Sequence, residues 1–438
     1  MFGYYLKLAL RSLRRNPALT ALMVMAIGFG VAASMTTYSV FRAVSGNPIP
    51  GKSAQLFTPQ IDAWGPQQNL TGNEPAEALG YIDAMALMNA HEAKRQTLLY
   101  QVQLAVMPGG NRELPLNASG YAVTADFFPM FEVPFRYGSG WSTQDDDARA
   151  SDVVISDVLN QKLFGGADSV GRTLDLGGHD YRIVGVTGHW NPQPRFYDLF
   201  TSSNSFADEP DIYMVFSRAM DLHMYPVGRN SCRGSLSYTA WDAYTQSNCV
   251  WITPWVELDT PAEVASYRRF LTNYAADQQR AGRFNWAPNV RLRDVVQWMQ
   301  YEQVVPPESR IALVVALGFF LICLVNTIGL LLAKFMRRAG EIGVRRALGA
   351  TRGQIYAQYL IEAGTVGLAG GVLGLLLTAL GVASVGILFP PQIARLAHLD
   401  ASLVGLTLVV AVAATVLAAF YPAWRAARVQ PAWQLKSN

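Results

Sequence analysis

Eight residues, GNPIPGKS at 46–53, satisfy the spacing G-x-x-x-x-G-K-[ST] of a phosphate-binding loop. In such a loop successive backbone N–H groups between a strand and a helix converge on the anion, and the Lys and Ser complete the charge and metal contacts. Pro48 and Pro50 remove two of those donors. The residues before them, 18–41, form an apolar run too long for a buried strand, and no later strand ends in an Asp suited to hold a metal. The stretch therefore does not read as a nucleotide site.

Other constellations are equally bare of catalytic chemistry. His91, His179, His189, His223 and His398 lack ligand spacing. Asp145, Asp146 and Asp147 read as a solvated acidic loop, because nothing near them completes the oxygen shell that calcium or magnesium takes. No Gly-Ser-Gly elbow is present. Within apolar segments the polar candidates are Glu362, at the edge of its run and close enough to nearby arginines to pair with them, and Asn326. Cys232 and Cys249, with sixteen residues between them, are expected to form a disulfide in an oxidising compartment, while Cys323 sits in an apolar run and reads as packing.

The elements that position these residues follow from hydropathy. The chain has 438 residues, 51% of them hydrophobic and 15% charged, and its mean hydropathy is positive. Four apolar runs, near 18–41, 311–333, 361–389 and 402–424, are long enough to cross a bilayer, which takes about 20 helical residues. Residues 43–310 contain no comparable run and read as a domain inserted between the first two spans.

Charge orients the whole. Lys7, Arg11, Arg14 and Arg15 precede the first span without an acid. Lys334, Arg337, Arg338, Arg345, Arg346 and Arg352 flank the loop between spans two and three against Glu341 alone. Both segments belong in the cytoplasm, as does the tail with Arg425, Arg428 and Lys436. The inserted domain has 20 Lys and Arg against 29 Asp and Glu, a net −9, and the remainder has 15 against 3, a net +12. The overall +3 conceals this split.

Residues 2–13 read as an amphipathic helix on membrane lipid, with Leu6, Leu10 and Leu13 on one face and Lys7, Arg11 and Arg14 on another. In the inserted domain short strands near 54–57 and 98–106 and a helical stretch near 77–94 suggest α+β. A clearer block follows: strand 153–155, helix 157–164, then strands 173–176 and 181–186 joined by Gly177-Gly178, a hairpin signal. Residues 191–250 read as a long loop region, and 290–304 as a helix leading to the second span. In the third span Gly367 with Gly371, and Gly370 with Gly374, form small-xxx-small pairs that permit close helix packing. In the inner loop Glu341 and Arg345 stand one helical turn apart, Ile342, Ala347 and Leu348 offer apolar contact, and Gly349 ends the turn. A helix so built could transmit a push.

That loop, RRAGEIGVRRALGATRGQI at 337–355, resembles the hallmark loop of the MacB/FtsX-type ABC transporter permeases. YPAWRAARVQPAWQL at 421–435 is similar to the family's C-terminal ending. VTADFFPMFEVPFRYG at 123–138 and DVVISDVLNQKLFGGADSVGRTLDLGGHDYRIVGV at 152–186 resemble its periplasmic core domain. The resemblance covers essentially the whole chain. It implies an α-helical membrane protein of the bacterial inner membrane with four transmembrane helices and a large α+β periplasmic domain between the first two, both termini being cytoplasmic. The expected divisions are 1–17 amphipathic helix, 18–42 first span, 43–310 periplasmic core, 311–335 second span, 336–356 coupling loop, 357–389 third span, 402–424 fourth span and 425–438 tail.

The resemblance further implies a non-catalytic subunit without cofactor of its own, acting as a dimer with a second permease copy or paralogue. MacB carries a fused N-terminal nucleotide-binding domain, whereas this sequence starts at the membrane. ATP and magnesium are therefore expected in a separate ATPase, which would meet Arg337, Arg338, Glu341, Arg345, Arg346 and Gly349. The leading expectation is export or extrusion of a substrate, with a periplasmic adaptor and an outer-membrane channel as further partners. The alternatives are a signalling relay that activates a periplasmic partner, or lipoprotein release. Nothing points to nucleic acid.

Overall fold

A computed structural model describes residues 16–68, 72–107, 115–202, 204–233, 240–388 and 399–428, together with Gly3, Leu8, Arg11 and Ser12. Most of the amphipathic helix expected at 2–13, and the end of the C-terminal motif from residue 429, lie outside the described residues. The chain divides into two units, 1–45 with 305–438, and 46–304.

The first unit is helical because its apolar runs can satisfy their backbone groups internally and have few side-chain charges to hydrate. Its helices are Pro17–Ser45, Pro307–Met336, Arg352–Leu388 and Ala401–Ala427. Each contains a stretch long and apolar enough to cross a membrane, as expected. Pro307 stands in the first turn of the second span, where its missing N–H costs nothing. Inside the bundle Thr327, Thr378, Thr407 and Thr415 each donate their hydroxyl to the carbonyl four residues back, which makes these buried groups compatible with an apolar interior. Gly367 and Gly371 face the fourth span: a Cβ on Gly367 would lie 2.9 Å from Thr415 Cβ, and one on Gly371 3.0 Å from Ala411 Cβ. Gly370 and Gly374 face the first span, where a Cβ would meet Ile27 Cγ2 at 2.7 Å and Val31 Cγ1 at 3.0 Å. The second span leaves Ile311, Val314, Val315, Leu321, Ile322 and Val325 exposed.

The second unit is α+β. Among the described residues ten strands form one mixed sheet: β1 (Leu56–Ile61), β2 (Arg95–Met107), β3 (Leu116–Val123), β4 (Phe135–Gly138), β5 (Asp152–Ile155), β6 (Thr173–Leu176), β7 (His179–Thr187), β8 (Ile212–Val215), β9 (Thr253–Glu257) and β10 (Val290–Asp294). Their order is β10-β1-β9-β2-β3-β8-β5-β7-β4, with β6 bridging β2 and β7. Pairs β3–β8 and β5–β7 are parallel and the others antiparallel. The hairpin β6–β7 turns on Gly177 and Gly178, at φ 63° and 85°, the left-handed pair that a two-residue turn of this hand requires.

Two readings of this unit are corrected. Residues 191–250 are not only loop: β8 lies there with helices Phe216–Asp221 and Trp241–Thr245. Residues 290–304 are not one helix: 290–294 form β10, and Asp294 then caps the helix Val295–Tyr301 through the backbone N–H of Gln297 at 2.8 Å.

Candidate functional site

The loop between the second and third spans folds into a helix, Ala339–Ala347. Gly349, at φ 99°, ends the turn in a conformation that side chains rarely adopt. Thr351 and Gln354 then form a reciprocal cap that starts the third span, with Thr351 N donating to Gln354 Oε1 at 2.9 Å. Ala339, Ile342 and Gly343 face inward. Ile342 belongs to the same buried cluster as Phe335, Ile355 and Tyr359, with the rings of Phe335 and Tyr359 4.2 Å apart.

Charged side chains bind this helix to the third span, which an ion pair in turn joins to the second. Glu341 accepts from Arg345 Nη2 at 2.7 Å and from Arg338 Nε at 3.1 Å. Arg345 also donates to Gln358 Oε1 at 2.9 Å on the third span. Glu362, 1% exposed, faces the fully buried Lys334 at 2.8 Å and accepts from Arg338 Nη1 at 3.2 Å and from the hydroxyl of Ser12. Lys334 Nζ lies off the hydrogen-bond direction, so charge and not alignment holds that pair. Glu362 does pair with a nearby arginine, and Lys334 is a partner that no local sequence window reveals.

The outward face is apolar. Val344 and Leu348 are 53% and 83% exposed, with Gly340 and Ala347 beside them. The expectation that Ala347 and Leu348 pack alongside Ile342 is corrected: Leu348 lies about 240° around the helix from Ile342 at about 100° per residue, on the far side. Glu341 and Arg345 are spent largely on contacts within the chain, while Arg337 is exposed and Arg346 half-buried.

The remaining sequence candidates have structural employment. In 46–53 the N–H groups of Ile49, Lys52 and Ser53 donate to Asn47 Oδ1, Ile49 O and Ile49 O, and Ser53 Oγ accepts from Asn47. Strand β1 follows where a phosphate loop would need a helix. Lys52 Nζ reaches Pro129 O at 3.1 Å and Glu257 Oε2 at 3.3 Å, and Lys94 and Arg95 converge on the same carboxylate. Burial opposes ionisation of Glu257, but Arg95, Lys52 and Lys94 outweigh it and hold the carboxyl below its ordinary value.

The acidic run is not a simple solvated loop. It forms the short helix Thr143–Asp147, in which Asp145 completes a capping box with Ser142 and Asp146 accepts from Ala125 N and Trp141 Nε1. Cys232 and Cys249 are joined, beside a bridge between Ser231 and Val250. Among the described residues no group of His, Cys, Asp and Glu is arranged to hold a metal.

With that geometry in hand, comparison with known proteins is specific. Residues 20–268 match the model of the MacB-like periplasmic core domain, and 313–431 that of the FtsX-like permease C-terminal domain. A macrolide export ATP-binding/permease protein MacB from Agrobacterium fabrum is 25% identical over 71% of this chain and 42% of its own length. The protein of that name from Escherichia coli O157:H7 is 23% identical over 98% of this chain and 60% of its own. The chain thus spans about half the length of these relatives. The periplasmic region of MacB from Actinobacillus actinomycetemcomitans aligns at 13% identity over 59% of this chain and 96% of that one, with a TM-score of 0.37, too low to carry an argument.

Proposed function

Because the chain belongs to the family of permeases that combine a MacB-like periplasmic core domain with an FtsX-like membrane domain, we propose that it is the membrane subunit of an ABC transporter. In this reading a separate ATPase binds ATP and magnesium and hydrolyses the nucleotide. The permease relays the resulting motion to its periplasmic domain to drive export. The observation that carries the reading is the loop helix, which is tied to the third span through Arg338 with Glu362 and Arg345 with Gln358 and whose outer face offers Val344 and Leu348. A push on an exposed apolar knob is conveyed to the spans only if the helix cannot swivel, and these two contacts resist swivelling. Arg337 and Arg346 flank the knob, and with it they form the surface that meets the ATPase. The positive-inside distribution supports a cytoplasmic loop and termini. The names of the matched relatives favour export over signalling or lipoprotein release. A periplasmic adaptor and an outer-membrane channel are the partners such export calls for.

A second copy is part of this reading. Asn326 points outward from the middle of the second span, without a hydrogen bond among the described residues. An amide facing hydrocarbon favours association with another helix that can bond to it. The second span of another copy supplies that partner.

The test is recovery of an ABC ATPase with the tagged permease from its native host. Leu348→Glu and Val344→Glu are expected to lower recovery at least tenfold and to leave insertion and melting unchanged, since both side chains are exposed. An ATPase that co-purifies equally with both variants, or none with the unaltered chain, refutes the assignment.

A further inference from the structure

The end of the fourth span carries two aromatic rings and two guanidiniums on one face. Tyr421, Trp424, Arg425 and Arg428 stand at i, i+3, i+4 and i+7 of a helix. All four are exposed, the two rings by 53% and 46%. On the opposite side Ala419, Ala423, Ala426 and Ala427 are buried in the core of the helical bundle. That packing holds the aromatic and basic side chains outward.

These side chains are also tied to one another. The Arg428 guanidinium lies 3.9 Å from the centre of the Trp424 ring, a cation–π contact. Arg425 Nη1 donates to the Tyr421 hydroxyl at 3.5 Å, and the Tyr421 and Trp424 rings are 6.4 Å apart. Among the described residues neither arginine has a carboxylate partner, and residues 429–438 contain no Asp or Glu. Two cations are thus gathered at one place without an anion.

Depth along the helix says what reaches them. At its other end Asp400 accepts from Leu403 N and pairs with Arg42 at 2.9 Å. At 1.5 Å per residue Tyr421 lies about 31 Å further along, which matches a hydrocarbon core of about 30 Å. The two rings therefore stand at headgroup level, where amphipathic aromatics settle, and the guanidiniums among the phosphates. Ala413, Leu417 and Phe420 are exposed on the same side of the helix, so an apolar strip runs from the rings into the hydrocarbon.

A phosphate carried on an acyl chain meets both parts at once. The strip takes the chain, and the guanidiniums take the anion by charge-assisted hydrogen bonds. A zwitterionic headgroup brings its own ammonium against the arginines, whereas an anionic one does not. We infer that the face formed by Tyr421, Trp424, Arg425 and Arg428 is a binding site for an anionic phospholipid. It lies on the fourth span and depends neither on the loop helix nor on the ATPase reading.

The experiment is native mass spectrometry of the full chain, released from detergent micelles after titration with dioleoylphosphatidylglycerol or with dioleoylphosphatidylcholine, which has the same acyl chains. The expected result is a phosphatidylglycerol bound at least tenfold more tightly than phosphatidylcholine. Arg425→Gln with Arg428→Gln should weaken it at least tenfold, and Trp424→Leu, which keeps every charge, at least threefold. Arg352→Gln, which removes an exposed arginine at the start of the third span, should bind as the unaltered protein does. Excess inorganic phosphate should not displace the lipid. The substituted side chains are all exposed, so the variants are expected to fold, and unchanged melting curves check this. The inference is overturned by equal affinity for the two lipids, by displacement with inorganic phosphate, by a loss in the double variant no greater than in Arg352→Gln, or by unchanged binding in Trp424→Leu. If the double variant instead sheds a second copy or a co-purifying ATPase while its lipid affinity stays the same, the face is a protein interface and the inference equally fails.

Discussion

Replacing Glu362 by Met removes the anion that two cations share, and the structure sets both the size of the effect and its asymmetry. At 2.8 Å from a fully buried Lys334, the gross attraction is roughly 6 kcal/mol at an effective dielectric constant of about 20. Desolvation of both ions cancels much of that. What the variant exposes is the cost of a buried ammonium without a counter-ion, about 3–5 kcal/mol. Lys334→Met is a different case, because Glu362 retains Arg338 at 3.2 Å and the hydroxyl of Ser12. It should cost about 1–2 kcal/mol, within the usual span for a single substitution. With both changed, neither ion is stranded, and the double variant should lie within about 1 kcal/mol of Lys334→Met alone. Reversible unfolding by SDS titration of detergent-solubilised protein, followed by tryptophan fluorescence, gives all four corners of the cycle. Equal losses in the two single variants, or a double variant that loses their sum, would show that the pair is not coupled as the geometry requires.

Two further outcomes follow from the second unit. Burial, with Glu77 nearby and against Arg229 and Arg293, pushes the Glu302 carboxyl up from 4.5 to about 8. The folded state therefore holds a proton that the unfolded state has released, so this group's contribution to stability falls as pH rises from about 4.5 to about 8 and is level beyond. Glu302→Gln should melt later than the unaltered protein at pH 9, by about 2 kcal/mol after relaxation, and alike near pH 4; a gain that is the same at both pH values contradicts the account. Cys232→Ser with Cys249→Ser should lower stability by about 3 kcal/mol through the sixteen-residue loop they close. That is read from the denaturant midpoint under non-reducing conditions, and an unchanged midpoint refutes it.

The bilayer explains why the spans were legible: a backbone in hydrocarbon must be helical and must run for a minimum length, so hydropathy alone marks it. Gly177-Gly178 announced its hairpin because few residues adopt that turn. Strand β8 gave no such sign, since four residues buried on both faces show no alternation. At 290–294 the alternation of Val290 and Leu292 with Arg291 and Arg293 was present but overshadowed by the helix that Asp294 starts.

The site divides in the same way. Glu341 and Arg345 meet because they are four residues apart on one helix, which any reader of the sequence can count. Lys334 and Glu362 meet because two helices pack, and no spacing rule spans that distance. The outward turn of Leu348 could have been found by counting helical angle from Ile342. The contact of Trp141 with Phe128, at 4.9 Å between ring centres, could not, because the two come together only through the fold of the short helices and β4.

The glycines of the third span fix its axial position. Ile27 and Val31 rest against Gly370 and Gly374, and Ala411 and Thr415 against Gly367 and Gly371, on two different sides of one helix. One turn further along, the first pair of contacts would meet Val366 or Thr378, and the second Ala363 or Leu375. Slippage by a turn in either direction therefore drives a side chain into backbone on both sides at once. The first, third and fourth spans therefore have a single longitudinal register, and sliding of one past another by a helical turn is closed to them.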